Sequence, residues 1–448
     1  MKFPDRYLPD IYLTERALYV IFGLVFVFIT GFAFNVLIVV GQIMLLSFIL
    51  ALVIELSLLY SIRKPFRAER ITEDKLSNGD FNMAILKITS AYPFNSLVKV
   101  VDEYPKELQL RNKYFYLGKC KPRFNRDITY EFRPISRGEY EFGAIRIFVS
   151  TLFGAIQRRV TVSAESTLPV YPSFIQLRKY SYYAINNRLD EIGVKRIRRL
   201  GSSNEFEQIR EHVRGDDFRK INWTATARKR ELMVNQYQEE RAQNIYCLLD
   251  TGRTMHMPFE GLPLVEYAVN ASLVLLGVAQ AKGDKAGLVT FAKNIEVLLP
   301  AHGKASQMQR IVESLYNAGV HQQESDFLNL YKNVKYKIRK RSLLILFTNF
   351  NSLSGLKRQL KYLKSLARDH LLCVIFFENT EIAALANNKA VSLSNAYDQT
   401  IAEKYQMEKR LIIAELNKNG IYSILTQPQD LTVNTINQYI SFKATGAI

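Results

Sequence analysis

Two short runs carry the groups best suited to chemistry. Asp250-Thr251-Gly252-Arg253-Thr254-Met255 follows one apolar run, and Thr348-Asn349 follows another. A carboxylate at Asp250, a hydroxyl at Thr254 and an amide oxygen at Asn349 are hard oxygen donors. On adjacent loops they form a set that can hold Mg²⁺. The alternative is that Asp250 and Thr254 only hydrogen-bond within their loop and cap it. No GxxxxGK[ST], HExxH or GxSxG occurs, and no GxGxxG follows a strand. His212, His256, His302, His321 and His370 lack metal-ligand spacing. These absences argue against an enzyme, although a triad assembled from distant residues would leave no such trace. No catalytic residue is assigned, and Mg²⁺ is the one cofactor in question.

A second candidate is the charged stretch 193–231. Between Lys195 and Arg230 it holds eleven Lys or Arg and five Asp or Glu. Arg210, Arg214, Arg219 and Arg228 interleave with Glu205, Glu211, Asp216 and Asp217, and Gly215 and the single tryptophan, Trp223, sit among them. Guanidinium groups pair bidentately with carboxylates and stack on aromatic rings. A solvated surface with weak ion pairs is the plain alternative. The mixture of signs points to a folded polar network that docks a partner or a neighbouring domain. The acids dilute the basic face that nucleic acid would need.

These residues need elements to position them. From residue 243 onward, apolar strand-like runs (244–249, 285–291, 342–347, 371–377, 421–425) alternate with helical ones (264–281, 304–316, 355–367, 399–419). Strands apolar throughout imply a parallel sheet covered by helices on both faces, the doubly wound α/β class. Ligands of such sheets bind beyond the carboxyl ends of the strands, where Asp250 and Asn349 fall. The run 264–281 resembles a membrane span, but Glu266 and Asn270 interrupt it and a buried crossover helix is expected. Between residues 65 and 175 the period shortens to two: Ile128, Tyr130 and Phe132 alternate with Thr129, Glu131 and Arg133. Strands at 81–89, 97–103, 126–134 and 140–149, separated by turn signals, suggest a small β-sandwich.

Residues 17–54 contain no charge. About 20 apolar residues cross a bilayer core, so this run suffices for two helices, 17–34 and 36–60, turning at Asn35. Lys2, Arg6 and Arg16 precede the pair, and Arg63, Lys64, Arg67 and Arg70 follow it. Positive flanks stay inside, which places both ends and the remaining domains in the cytosol. The chain of 448 residues thus reads as a helix pair (1–64), a β-sandwich-like domain (65–175), the charged motif with a linker (176–242) and an α/β domain (243–448). A formal charge of +18 calls for an anionic partner, and the lipid of the inner leaflet accounts for part of it. Three scattered cysteines fit a reducing compartment.

The sequence resembles the bacterial family known as domain of unknown function fifty-eight, membrane proteins with a von Willebrand factor A-like domain. The residues that carry the resemblance are Asn204-Glu205-Phe206, Arg210-Glu211, the run from Gly215 through Asp216, Asp217, Arg219 and Trp223, and Ala227-Arg228. Glu239-Glu240-Arg241, Leu248-Leu249-Asp250, the run 137–143 and Val170-Tyr171-Pro172 add to it. The resemblance implies a doubly wound A-like domain and a link to MoxR-type AAA+ ATPases in assembly or maturation of other proteins. It also exposes a departure. The metal-adhesion motif of A domains reads Asp-x-Ser-x-Ser, where this chain has Gly252 and Thr254, and Asn349 replaces the usual Asp. Weakened Mg²⁺ binding is therefore expected.

The function expected is that of a non-enzymatic scaffold or adaptor on the inner (cytoplasmic) membrane, with a lipid bilayer, a MoxR-type ATPase and a protein client as partners. Two alternatives remain: a Mg²⁺-dependent hydrolase using Asp250, and a membrane protein that binds nucleic acid through 195–230.

Overall fold

The computed structural model describes residues 10–108, 114–186, 188, 191, 193–194, 205–213, 216, 218, 221–238, 242–259, 261–319, 321–387 and 393–447. The chain forms two compact units, Met1–Tyr171 and Pro172–Ile448.

In the first unit, strand β1 (Ile11–Leu13) leads into helix α1 (Glu15–Gly31), whose start is capped by the Thr14 hydroxyl. Helix α2 (Asn35–Tyr60) runs back against it. The reversal falls at Phe32–Phe34, not at Asn35, which opens α2. The amides of Phe32, Ala33 and Phe34 bond the carbonyls of Ile29, Thr30 and Gly31, so the backbone of the turn satisfies itself. Phe22, Phe26, Ile29, Leu46 and Leu50 are exposed around the pair. A helix apolar on all sides needs protein or lipid around it. By length and composition, Val36–Tyr60 is sufficient to cross a membrane.

The strands that follow are β2 (Phe66–Ile71), β3 (Leu76–Ser77), β4 (Asn82–Ser90), β5 (Ser96–Asp102), β6 (Tyr114–Cys120), β7 (Asn125–Phe132), β8 (Gly138–Phe142), β9 (Ile145–Ser150), β10 (Ile156–Val162) and β11 (Ser166–Tyr171). They form sheets ordered β1-β10-β9-β5-β6, β2-β4-β7 and β3-β11-β8. Alternate residues of β4 (Ala84, Leu86, Ile88) and of β5 (Val98, Val100) enter one shared core with Tyr130 and Ile147. The run 140–149, expected as one strand, is two. The amides of Gly143 and Ala144 turn to the carbonyl and carboxylate of Glu103, and the chain passes from the β11 sheet to the β5 sheet. Arg70, counted in the sequence as a flanking charge, lies inside this unit. Its guanidinium pairs with Asp102, with both side chains buried, and it also donates to the carbonyls of Ala164 and Gly143.

The second unit begins with α3 (Phe174–Ile185) and a two-stranded ribbon, β12 (Glu205–Glu211) and β13 (Met233–Gln238), with α4 (Trp223–Lys229) between them. The main sheet and its helices follow: β14 (Asn244–Asp250), a small hairpin of β15 (Pro258–Phe259) and β16 (Leu262–Pro263), α5 (Leu264–Ala281), β17 (Lys285–Phe291), β18 (Ile295–His302), α6 (Ser306–Asn317), α7 (Phe327–Lys337), β19 (Leu343–Phe347), α8 (Leu353–Asp369), β20 (Leu371–Phe377), α9 (Thr380–Asn387), α10 (Leu393–Lys418), β21 (Tyr422–Thr426) and α11 (Leu431–Thr445).

The sheet order is β18-β17-β14-β19-β20-β21. Five strands are parallel, as the apolar runs implied. The edge strand β18 is antiparallel to β17, which the expectation of an all-parallel sheet missed. Its half-exposed residues lack the continuous apolar run that marks a strand buried on both faces. Ile245, Cys247 and Leu249 of β14 enter one core with α5, while Tyr246 and Leu248 enter the other with α7 and α8. Helices therefore cover both faces. Helix α5 is apolar enough to pass for a span, but 83% of its apolar window is buried within the unit. Asn270, one of its interruptions, accepts the backbone N–H of Ser173 at 2.9 Å.

Candidate functional site

The sheet reverses its direction of winding between β14 and β19, and at such a switch point the loops diverge and leave a crevice. Because Leu249 pairs with Phe347, Asp250 and Thr348 emerge side by side at the carboxyl ends. Asp250 is buried. Its Oδ1 accepts the Gly252 backbone N–H at 2.9 Å and the Ser325 hydroxyl, and its Oδ2 accepts the Thr348 hydroxyl at 2.6 Å. Burial pushes the Asp250 carboxyl above its ordinary range, and these three donors pull it back.

Asn349 is also buried. Its Nδ2 faces the Thr254 carbonyl at 3.5 Å, and its Oδ1 accepts from the Lys409 ammonium of α10 at 2.5 Å. Lys409 donates to the Phe350 carbonyl as well, at 2.8 Å. Only 4% of Lys409 is exposed, and burial pushes its pKa down to about 8. Thr254 lies in the 3₁₀ turn Arg253–Met255. The structure thus brings Asp250, Thr254 and Asn349 to one crevice with Thr348 of the run already singled out, and adds Ser325 and Lys409, which the sequence reading did not select. Ser325 stands immediately before Asp326, the side-chain cap of α7. That helix went unread, so its leading loop did too.

A polar rim surrounds the buried centre. The Thr251 hydroxyl donates to the Phe291 carbonyl and reaches Glu296 at 3.2 Å. His321 contacts Glu296 through Nε2, and His256 Nε2 contacts the His321 carbonyl at 2.8 Å. Exposed Arg253 and Glu324 pair at 3.2 Å.

The donor set does not fit Mg²⁺. That ion demands a near-octahedral oxygen shell at about 2.1 Å. Asp250 already accepts three donors, and Asn349 gives its oxygen to a protein cation. A Cβ at Gly252 would stand 2.1 Å from the Ser325 hydroxyl, so a serine at that place would push this hydroxyl off Asp250. Among the described residues, no group of three or more His, Cys, Asp or Glu could hold a metal.

The charged motif is a folded piece. Arg210 pairs with Asp216 at 2.6 Å, and the other Asp216 oxygen accepts the Val213 N–H at 2.9 Å. This pairing holds the Asp216 carboxyl below its usual range. Asn222 caps α4 by accepting the Ala225 N–H, and its amide donates to Asn235 at 2.8 Å. Trp223 opens α4 and is 68% exposed, while Arg228 lies in the last turn of that helix. Glu205 opens β12. Gly215, Asp217 and Arg219 lie outside the described residues.

A family model described as protein of unknown function DUF58 matches residues 208–411. The match begins in the charged ribbon and runs past Lys409. The uncharacterized protein YeaD of Bacillus subtilis (strain 168) is 25% identical over 242 residues, 52% of this chain. The match takes in 58% of the length of that relative. Among solved structures, the conserved hypothetical protein BatB from Bacteroides thetaiotaomicron aligns over 46% of this chain and 100% of its own at 12% identity, TM-score 0.29. The SpRpn10 VWA domain aligns over 44% of this chain and 95% of its own at 12% identity, TM-score 0.28. The CARDB domain of PF1109 from Pyrococcus furiosus covers 24% of this chain and 92% of its own at 13% identity, TM-score 0.18.

Proposed function

We propose that this chain is a membrane-tethered, non-enzymatic adaptor whose α/β unit is a von Willebrand factor A-like recognition domain. The observation that carries the reading is the switch-point crevice. Its buried acid, amide and lysine are locked in hydrogen bonds, while Arg253, Glu324 and His321 stand exposed at its lip. A centre satisfied internally fixes the shape of the lip, and charged groups on a rigid lip confer partner choice. With the Asp250 and Asn349 oxygens already taken by protein donors, the contact is metal-independent. The apolar helix pair supplies the tether, with both ends and the two units facing the cytosol. The family likeness supports a partnership with a MoxR-type AAA+ ATPase in assembling or maturing other proteins.

The test is cross-linking in membranes followed by purification of the full chain. A MoxR-type ATPase from the same cells should be recovered equally in EDTA and in Mg²⁺, and its recovery should fall with Arg253→Glu. Equal recovery with Arg253→Glu removes the lip from the interface. Loss of recovery in EDTA overturns metal independence, provided that nucleotide is held constant.

A further inference from the structure

The hairpin is not a flexible leash, because the first unit grips it. Glu55, in an otherwise apolar stretch of α2, is buried. Its carboxylate accepts the Thr151 hydroxyl at 2.6 Å and the backbone N–H groups of Gly154, Ala155 and Ile156 at 3.1, 3.1 and 3.0 Å. Four donors on one carboxylate offset its desolvation. The end of α2 and the chain just after it are likewise held: the Leu59 carbonyl accepts from Tyr92 and Arg158, and the Ile62 carbonyl, two residues past the helix, accepts from Arg158. Leu59 lies in the core of the strands. The part of α2 left for lipid therefore runs from Val36 to Ile54, about 28 Å at 1.5 Å per residue, which matches a bilayer core of about 30 Å. Glu55 then marks the inner boundary.

The loop that Glu55 binds reaches beyond that boundary. The Phe153 ring packs on Phe48 with centroids 6.5 Å apart. Phe48 lies seven residues before Glu55, about 10 Å further along α2 towards the turn. Ala155 joins Phe48 and Leu24 of α1 in one small apolar cluster. Leu152 and Phe153 are nonetheless 46% and 50% exposed. Arg16, exposed at the start of α1, directs Nη1 towards the Leu152 carbonyl at 3.5 Å. Apolar tips beside a lipid-facing helix, with an arginine at their base, match the interfacial layer, where rings bury and guanidinium groups meet phosphate.

We infer that the loop 151–154 is a wedge that enters the inner leaflet, with Leu152 and Phe153 among the acyl chains and Arg16 against anionic headgroups. This rests on the hairpin crossing the bilayer. The wedge fixes the first unit against the membrane surface, so that it cannot swing freely on the hairpin.

The full chain in vesicles tests this. Cys120, Cys247 and Cys373 are buried, so Phe153→Cys or Phe22→Cys directs an environment-sensitive dye to one place. Lipids brominated high on the acyl chain should quench the dye at both positions. Replacing anionic with neutral lipid, or Arg16 with Glu, should reduce quenching at 153 and leave it unchanged at 22. Quenching at 22 without quenching at 153 overturns the wedge and leaves the tether standing. Absence of quenching at both overturns the tether and the wedge with it. Quenching at 153 that is indifferent to lipid charge and to Arg16→Glu overturns the headgroup part.

Discussion

The ammonium of Lys409 lies 2.5 Å from Oδ1 of Asn349, and that amide carries no charge to balance it. The second acceptor, the Phe350 carbonyl, is also neutral. A buried cation held by two neutral oxygens and the face of the Tyr405 ring, 5.2 Å to its centroid, loses hydration without gaining an ion pair, which is why its pKa falls from 10.5 to about 8.

The sign of the pH effect follows. Below pH 8 the lysine is charged in both states, and the folded state bears the desolvation cost. Between about pH 8 and 10.5 the unfolded chain binds more protons than the folded one, so stability rises with pH by up to about 3 kcal/mol. Thermal midpoints of the full chain across that window should climb. Lys409→Met, which keeps the apolar stem and cannot titrate, should remove this part of the climb. At neutral pH the orphaned Asn349 and Phe350 oxygens cost about 2 kcal/mol while loss of the buried charge returns about as much, so the variant should lie within about 1 kcal/mol of the parent there.

Restoring the serine of the adhesion motif should harm this protein. At Gly252 any Cβ meets the Ser325 oxygen at 2.1 Å and the Gln323 carbonyl at 3.0 Å. Gly252→Ser is expected to cost about 2 kcal/mol by overpacking, and to confer no Mg²⁺-dependent rise in thermal midpoint. Pairing it with Ser325→Ala removes the nearest clash, so the double variant should lose less than the sum of the singles. Strict additivity in that cycle would show that the two side chains do not compete for one place.

Much of this was legible in the sequence, and the rest was hidden for physical reasons. Strands of the main sheet announced themselves because burial on both faces makes them apolar throughout. Asn270 was read correctly as foreign to a membrane span, and it holds the Ser173 amide. Asp250 and Asn349 were found from strand ends alone. Lys409 was invisible because it sits 60 residues from Asn349 on a long polar helix, where a lysine normally means solvent. Arg70 misled for the converse reason: its position suggested a flank of the apolar helix pair, but Asp102, 32 residues on, draws it inside. Strand β18 and helix α7 are amphipathic or short, and their patterns compete poorly with a continuous apolar run.

The packing of α3 on α5 offers a cleaner steric test. Gly277 leaves the space that Leu177 fills, and a Cβ there would stand 2.3 Å from Leu177 Cδ1. Gly277→Ala gains helix propensity of about 1 kcal/mol but must displace the partly buried Leu177, so a net loss of about 1–2 kcal/mol is expected. Leu177→Ala in the same chain should recover most of that loss relative to Leu177→Ala alone. A stabilised Gly277→Ala variant would mean that α3 moves aside without cost.

Glu55 gives the sharpest prediction for the first unit. Its two oxygens accept four donors, three of them backbone N–H groups. Glu55→Gln keeps the shape but replaces one oxygen with an NH₂, so at least one amide at Gly154, Ala155 or Ile156 must face another donor. Losing a charged acceptor and leaving a buried N–H unpaired should cost about 2–3 kcal/mol. The loss should be local: hydrogen exchange should accelerate at 151–156 and remain unchanged at 245–249 of the other unit. Because the hairpin core 36–54 is untouched, the variant should still sediment with membranes. Unaltered exchange at 151–156 would show that Glu55 does not hold the loop.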